Sequence, residues 1–133
     1  MAKKKIEVKM QSWGIYTQWE RGSRELPKII KFTDTVPSEL DIEFGYVLHI
    51  KGAKGEEVEF VMKHPPFTDE HGNVRPDFEG SHFINSNDWK FFLGDTIWAP
   101  VEDKCGTWEL ITSLQGKEIA RKTFQIVMPE ELL

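Results

Sequence analysis

The sequence predicts an all-β fold, a sandwich of about seven to nine mostly antiparallel strands. Apolar and polar residues alternate along most of the chain, and turn-forming residues separate the alternating stretches. No window shows the periodicity of a helix of several turns. The 133 residues fit one domain, whose boundaries we place at residues 1–133. A chain of this length buries roughly two-thirds of its unfolded surface and can fold around its own core.

The first predicted strand carries a change in the phase of its apolar residues. These residues fall on even positions at first and on odd positions afterwards: Ile6, Val8 and Met10, then Trp13, Ile15 and Trp19. Successive side chains of a strand point to opposite faces, so the shift predicts a bulge or bend near residues 11–12. We interpret the bend as the point where this strand leaves one sheet for the other.

The next part of the chain predicts three strands and one irregular connection. The apolar run of residues 29–32 predicts a short strand, and residues 35–41 predict an irregular connection with room for one helical turn. Alternation over residues 44–50 and 58–62 predicts two longer strands. The Gly-rich turn of residues 51–55 joins them, so the pair is a candidate hairpin.

The longest polar stretch, residues 65–80, predicts a long loop that is rich in turn-forming residues. Short strands are predicted at residues 81–84 and 95–99. Residues 85–88 predict a turn, and the alternative is that they cap one helical turn over residues 89–92.

The clearest pattern lies in residues 105–127, which predict two strands that fold back near residues 115–116. A two-residue loop without a bulge would pair Trp108 with Thr123. Phe124 would then lie on the opposite face, because a slip of one residue inverts a strand.

We favour the register that pairs Trp108 with Phe124. This register brings two large aromatic side chains together, where burial and ring contact both stabilise the hairpin. A three-residue loop over residues 115–117, with Gly116 in the left-handed conformation, produces this pairing. A two-residue turn combined with a bulge near Arg121 produces it as well.

The hairpin also carries a family resemblance. Three groups of residues form the pattern: Gly106-Thr-Trp108, Gly116-Lys-Glu-Ile-Ala120, and Phe124 with Ile126. Together they resemble the closing hairpin of bacterial immunoglobulin-like sandwich domains, which implies an antiparallel immunoglobulin-like β-sandwich. The whole chain also resembles a small bacterial family known only as a domain of unknown function, and that resemblance implies no catalytic residues. With one cysteine the chain lacks the bridging pair of antibody domains, so any kinship is with disulfide-free relatives.

The net charge argues against nucleic acid as a partner. The formal net charge is −5, whereas phosphate backbones favour clustered lysine and arginine. The one basic run, Lys3-Lys4-Lys5, is expected to belong to a solvated, flexible tail over residues 1–5.

Other features at the level of composition favour a cytoplasmic protein, and the family resemblance implies a bacterial one. The segment Ile6-Glu-Val-Lys-Met alternates with charge where a signal peptide needs an apolar core. No apolar run is long enough to span a bilayer, so we expect no membrane contact. Cys105 is the single cysteine, which excludes an intrachain disulfide.

Three of the four histidines are candidate metal or ligand contacts. His64, His71 and His82 flank or lie within the predicted long loop, which also contains Asp69. Imidazole and carboxylate are zinc ligands, and two or three of them from one loop can form a site. Their spacing has no short paired motif, so loop solvation and turn chemistry are the competing interpretation.

Four apolar residues are candidate contacts for a partner. The favoured hairpin register places Ile111 and Ile119 on the face opposite Trp108. There they either form a small patch for a partner, or lie under neighbouring side chains or are ordinary exposed apolar residues. Trp19 and Trp89 lie beside polar turn residues, so we expect them to be partly exposed. Core packing is the competing interpretation for aromatic residues at alternating strand positions.

No motif in the chain predicts catalysis. The sequence lacks G-x-S-x-G, H-E-x-x-H and a phosphate-binding Gly loop. Cys105 as a nucleophile needs a base that the sequence does not identify. We therefore expect a non-catalytic module without a cofactor, for protein interaction or scaffolding, that pairs through an edge strand with a partner or a second copy. The alternative is small-ligand or metal binding through residues 65–88.

Overall fold

The computed structural model describes residues 5–20 and 25–132, and within these ranges the chain forms nine strands. Two short 3₁₀ helices, Glu102–Lys104 and Pro129–Leu132, accompany them. In chain order the strands are β1 (Glu7–Tyr16), β2 (Ile29–Phe32), β3 (Thr35–Pro37), β4 (Glu43–Lys51), β5 (Glu57–Lys63), β6 (Phe78–Phe83), β7 (Asp88–Thr96), β8 (Gly106–Leu114) and β9 (Lys117–Val127). Except for Lys5, the predicted basic tail lies outside the described residues.

The strands form two layers. The first sheet has the order β2-β1-β4-β7, and the second sheet has the order β3-β9-β8-β5-β6. Among the described strands every neighbouring pair is antiparallel except β3 with β9. The predicted all-β sandwich is therefore confirmed.

Alternation along the central strands builds the core. In β4, Phe44, Tyr46, Leu48 and Ile50 are all fully buried between the sheets. From β8, Trp108 and Leu110 meet them from the other layer, and the Phe44 and Trp108 ring centroids lie 5.3 Å apart. Burial of such side chains is the main stabilising contribution to the fold.

The predicted bulge in β1 is confirmed. The register between β1 and β4 shifts between Met10 and Ser12, so that Met10 lies opposite Leu48 and Trp13 lies opposite Tyr46. Because β1 contains one extra residue at the bulge, the even-numbered apolar residues before it and the odd-numbered apolar residues after it both face the core. The interpretation that β1 changes sheet is wrong, because the bulge already absorbs the phase change and β1 pairs with β4 along its whole length.

The closing hairpin has the favoured register, with Trp108 opposite Phe124. The loop has two residues rather than three, since Leu114 pairs with Lys117. Gln115 and Gly116 have φ angles of 52° and 76°, which is the backbone of a type I′ turn.

The bulge required by this short turn lies in β9. Ser113 is opposite Glu118 and Thr112 is opposite Ala120, so Ile119 is the extra residue. The two-residue turn with a bulge is therefore the correct alternative, with the bulge two residues before Arg121. The three-residue loop is wrong because the type I′ turn already matches the twist of the two strands.

Two predicted elements pair differently from the expectation. Residues 35–37 form the edge strand β3 rather than an irregular connection, because β9 has backbone groups on that side that need partners. β4 and β5 are not a hairpin and lie in different sheets. β1 and β7 occupy both edges of β4, so the chain must cross to the second sheet after residue 51.

The polar region before β7 contains less loop than predicted. β6 begins at Phe78, and β7 runs without interruption from Asp88 to Thr96. The alternative of a helical turn over residues 89–92 is therefore wrong. A continuous strand pairs nine residues with β4 and satisfies the backbone of both strands.

One buried hydrogen bond joins the two sheets. The Tyr46 hydroxyl of β4 lies 2.7 Å from the Thr112 hydroxyl of β8, and both residues are fully buried. Burial raises the pKa of Tyr46, so this hydroxyl stays neutral across the physiological range.

We expect Tyr46→Phe to lower the free energy of unfolding by about 1–3 kcal/mol, because it leaves the buried Thr112 hydroxyl without a partner. The double variant Tyr46→Phe, Thr112→Val removes both hydroxyls and should recover most of that loss. Urea unfolding of the wild type, both single variants and the double variant measures the coupling. Strictly additive losses would show that this hydrogen bond does not stabilise the fold.

Candidate functional site

The two flanks of the sandwich are closed differently. On one flank, β2 of the first sheet continues through residues 33–34 into β3 of the second sheet. On the other flank, β7 and β6 are the edge strands of the two sheets, and a cleft of about 720 Å³ opens between them. We call this space the flank cleft. It is lined from β5 and β6 by Phe60, Met62, Phe78, Glu79 and His82, and from β7 by residues 92–95.

The floor of the flank cleft is aromatic. Phe60 stacks on His82 with ring centroids 5.6 Å apart, and Phe78 lies 6.3 Å from Trp98. Gly80 makes room for the Phe60 ring, because a Cβ atom at Gly80 would lie 2.5 Å from that ring. The inner surface of the second sheet is thus left accessible beside β6.

A buried lysine packs against an aromatic ring that lines one wall of the cleft. Lys104 is 1% exposed, and its ammonium group donates hydrogen bonds to the Pro100 carbonyl and the Asp103 carboxylate. The same group lies 4.4 Å from the centre of the Trp98 ring and 4.7 Å from that of Phe67. These contacts fix the ring of Trp98, which lines the cleft.

Both strands that border the cleft have a free backbone edge. Just after β6, the Ile84 amide donates a hydrogen bond to the Glu56 carbonyl. In an antiparallel pair, residues whose backbone bonds to the neighbouring strand alternate with residues whose backbone points away from it. The N–H and C=O groups of Glu79, Ser81 and Phe83 therefore point away from β5.

The same argument applies to β7. The Ile97 amide donates a hydrogen bond to the Ile42 carbonyl, so odd-numbered residues of β7 bond to β4. The backbone groups of the even-numbered residues Phe92 and Gly94 therefore point away from β4. Within residues 5–20 and 25–132, no backbone hydrogen bond reaches the outward side of either strand.

The rim on the side of the second sheet is acidic. Asp77 and Glu79 lie at the cleft, and Glu57 and Glu59 lie on neighbouring β5; all four are exposed. Among the described residues, none of these carboxylates forms an ion pair. Arg75 is the cation among the lining residues.

Two of the predicted metal ligands are engaged within their own loop. The His64 ring nitrogens lie 2.7 Å from the Pro65 carbonyl and 2.8 Å from the Pro76 carbonyl. The Asp69 carboxylate accepts hydrogen bonds from the amides of His71 and Asn73, which closes a turn.

The four candidate ligands do not converge. His71 is exposed, with Glu70 3.6 Å away, whereas His82 stacks on Phe60 in the flank cleft. In the described part of the chain, no three His, Cys, Asp or Glu side chains are grouped as a metal ion requires. Of the four candidates, His82 lines the candidate site, and it does so from strand β6.

The two tryptophans predicted to be partly exposed are both half-buried. Trp19 lines the flank cleft, where its ring lies 5.6 Å from that of Phe92 and its indole N–H donates to the Glu25 carbonyl. Trp89 points inward and stacks on Phe91 at 5.3 Å, so it belongs to the edge of the core.

The two isoleucines do not form a common patch. Ile111 lies on the outer face between Val61 and Arg121, as predicted, and is half-buried. The expectation for Ile119 is wrong: this residue packs against the core. It is the extra residue of the β9 bulge, which turns its side chain to the inner face.

The sequence did not reveal the residues that define the cleft. Phe60, Phe78 and Trp98 appear in the chain as ordinary alternating or loop residues. A local signal exists in Phe78-Glu-Gly-Ser-His-Phe83, since a short strand with glycine and polar residues is typical of a sheet edge. Nothing local shows that β7 borders the same space.

Cys105 has the environment of an unreactive thiol. It is half-buried, and its sulfur lies 4.0 Å from the Val101 carbonyl. Burial raises the pKa of the thiol, so it stays protonated near neutral pH.

The family assignment comes from comparison with known proteins. A family model described as a domain of unknown function (DUF3859) matches residues 4–126. The chain belongs to this family.

The solved structure of an immunoglobulin-like protein from Pseudomonas aeruginosa is similar to this domain. It covers 96% of this chain and 100% of its own length, with a TM-score of 0.77 and 18% sequence identity. At that identity the likeness shows the fold alone, and it confirms the immunoglobulin-like sandwich. No curated protein matches the chain.

None of the helices in the described residues is long and apolar enough to cross a membrane.

We expect Lys104→Met to lower the free energy of unfolding by about 1.5–3 kcal/mol, because the Pro100 carbonyl loses a charged donor. Trp98 should lose its fixed position, which near-ultraviolet circular dichroism and urea unfolding can detect together. Lys63→Met, at an exposed position of β5, is the matched control. Equal effects of the two substitutions would contradict the role assigned to Lys104.

We expect the alkylation rate of Cys105 by iodoacetamide to rise with pH around a midpoint above about 8.5, the ordinary value for a thiol. The raised pKa stabilises the protonated form, so the rate at neutral pH should be lower than that of the same chain unfolded in urea. Mass spectrometry of the labelled chain measures both rates. A midpoint at or below the value of the unfolded chain would rule out the effect of burial.

Proposed function

We propose that this domain is a non-catalytic interaction module that binds an extended segment of a partner protein by strand addition at β6. The observation that supports this most directly is the convergence of two free strand edges on one aromatic cleft. An added strand would satisfy the outward backbone groups of the edge and place alternate side chains in the cleft.

The two edges differ in how well they can accept a strand. On β7, the Phe92 side chain is 6% exposed and packs against Trp19, and Lys90 adds a charge to the edge. On β6, Ser81 and Phe83 are exposed, and Phe83 is 62% exposed although it is apolar. An exposed apolar residue beside unpaired backbone groups favours β6 as the docking edge.

The cellular compartment is part of the proposal. The single thiol of Cys105 and the absence of any other cysteine in the sequence support the bacterial cytoplasm, where structural disulfides are rare. A cytoplasmic module of this kind would act through binding, with no cofactor.

A small ligand with an apolar ring is the second candidate for the flank cleft. The cleft volume of about 720 Å³ lies in the range of ligand cavities, and the rings of Phe60 and Trp98 offer stacking surfaces. Such a ligand would need the side chains of the cleft and not the backbone edge of β6, which separates the two candidates experimentally.

We expect Ser81→Pro to abolish binding of extended peptides while leaving the fold intact. The Ser81 N–H points away from β5, so proline removes an outward donor without breaking the ladder between β5 and β6. Peptides selected from a random displayed library on the wild-type chain are the probe. Their dissociation constants are then compared for the wild type, Ser81→Pro and the matched control Ser81→Ala.

Selected peptides should bind the wild type and Ser81→Ala with similar affinity and should lose binding to Ser81→Pro. Thermal unfolding of the three proteins checks that Ser81→Pro remains folded. Enrichment of no peptide, or equal affinity of the selected peptides for Ser81→Pro, would refute strand addition at β6.

A further inference from the structure

We infer that the segment bound at β6 alternates apolar residues with basic residues. This inference rests on the proposed strand addition, and it specifies the chemistry of the partner. Successive side chains of an added strand point to opposite faces, so the two surfaces beside β6 each select one half of the segment.

The inner surface selects apolar side chains. Phe78, Gly80 and His82 of β6 face inward, and the Phe60 ring lies against Gly80. A side chain at the adjacent inner position of an added strand would contact Phe60 and Phe78. Because Gly80 has no side chain, those rings are reachable from the edge.

The carboxylates of the outer surface select basic side chains. Phe83, opposite Glu57, also faces outward and adds an exposed apolar surface beside them. Glu79 of β6 faces outward, and Glu57 and Glu59 face outward on the adjacent strand β5. Asp77 adds a fourth exposed carboxylate immediately before β6. A lysine or arginine opposite Glu79 in the added strand would form a cross-strand pair of opposite charge.

The nearby cations do not neutralise this surface. The positive residues closest in the chain are Lys54 in the turn before β5, Lys63 at the end of β5 and Arg75 in the loop before β6. None of the three forms an ion pair within the described residues. The chain as a whole carries a formal charge of −5, which adds a general attraction for a basic partner. Charge complementarity therefore favours a basic segment over a second copy of this acidic chain.

Three synthetic peptides of about nine residues test the inference, a length that covers the six residues of β6. One alternates lysine with valine, one alternates serine with valine, and one alternates glutamate with valine. Fluorescence anisotropy with the full chain measures their affinities at low and high salt. We expect the lysine peptide to bind about fivefold or more tightly than the serine peptide at low salt, and the glutamate peptide to bind most weakly.

Glu79→Gln provides the matched test on the protein. It should weaken binding of the lysine peptide by about two- to fivefold and leave the serine peptide unchanged. Glu7→Gln, an exposed carboxylate on β1 of the other sheet, is the control and should change neither affinity. Equal affinity for the lysine and serine peptides, or no effect of Glu79→Gln, overturns the inference.

The outcomes separate this inference from the proposed function. If library peptides bind in a way that Ser81→Pro abolishes but show no basic preference, strand addition stands and the inference fails. If no peptide binds in that way, both fail. Light scattering of the chain alone tests whether a second copy occupies the β6 edge. A dimer that Ser81→Pro dissociates would assign the edge to that second copy and would overturn the inference of a basic partner.

Discussion

The buried indole of Trp108 fixes both the register of the closing hairpin and the packing between the two sheets. Its ring is fully buried against Phe44, and its N–H donates to the Lys104 carbonyl at 2.8 Å. A slip of one residue in the closing hairpin would carry this side chain to the surface. The bulge at Ile119 exists because it reconciles a tight two-residue turn with the pairing of Trp108 and Phe124.

The same indole connects the core to the candidate site. Lys104, which accepts its hydrogen bond, turns its own ammonium group toward Trp98 and Phe67. These rings belong to the loops that shape one wall of the flank cleft. The closing hairpin and one wall of the flank cleft are therefore joined through the contacts of one buried lysine.

The open flank gives this sandwich an exposed pair of edges, which proteins usually protect. The acidic side chains on and beside β6 affect both self-association and the choice of partner. Two copies that paired through β6 would bring carboxylates such as Glu79 near each other, which disfavours self-association. In the proposed interaction the same carboxylates would favour a basic segment, so specificity would arise from repulsion as well as from attraction.

The features that follow from the amino-acid sequence are local: alternating strands, the bulge near residues 11–12, the pairing of Trp108 with Phe124, and the family resemblance. These depend on the two-residue period of a strand and on neighbours in the chain. That β4 and β5 lie in different sheets, and that β6 and β7 border one cleft, follows from long-range packing and not from the sequence pattern. Long-range packing also separates His64 and His71 from His82. Strand neighbours depend on which edges remain unoccupied after distant segments have packed, and no local pattern records that outcome.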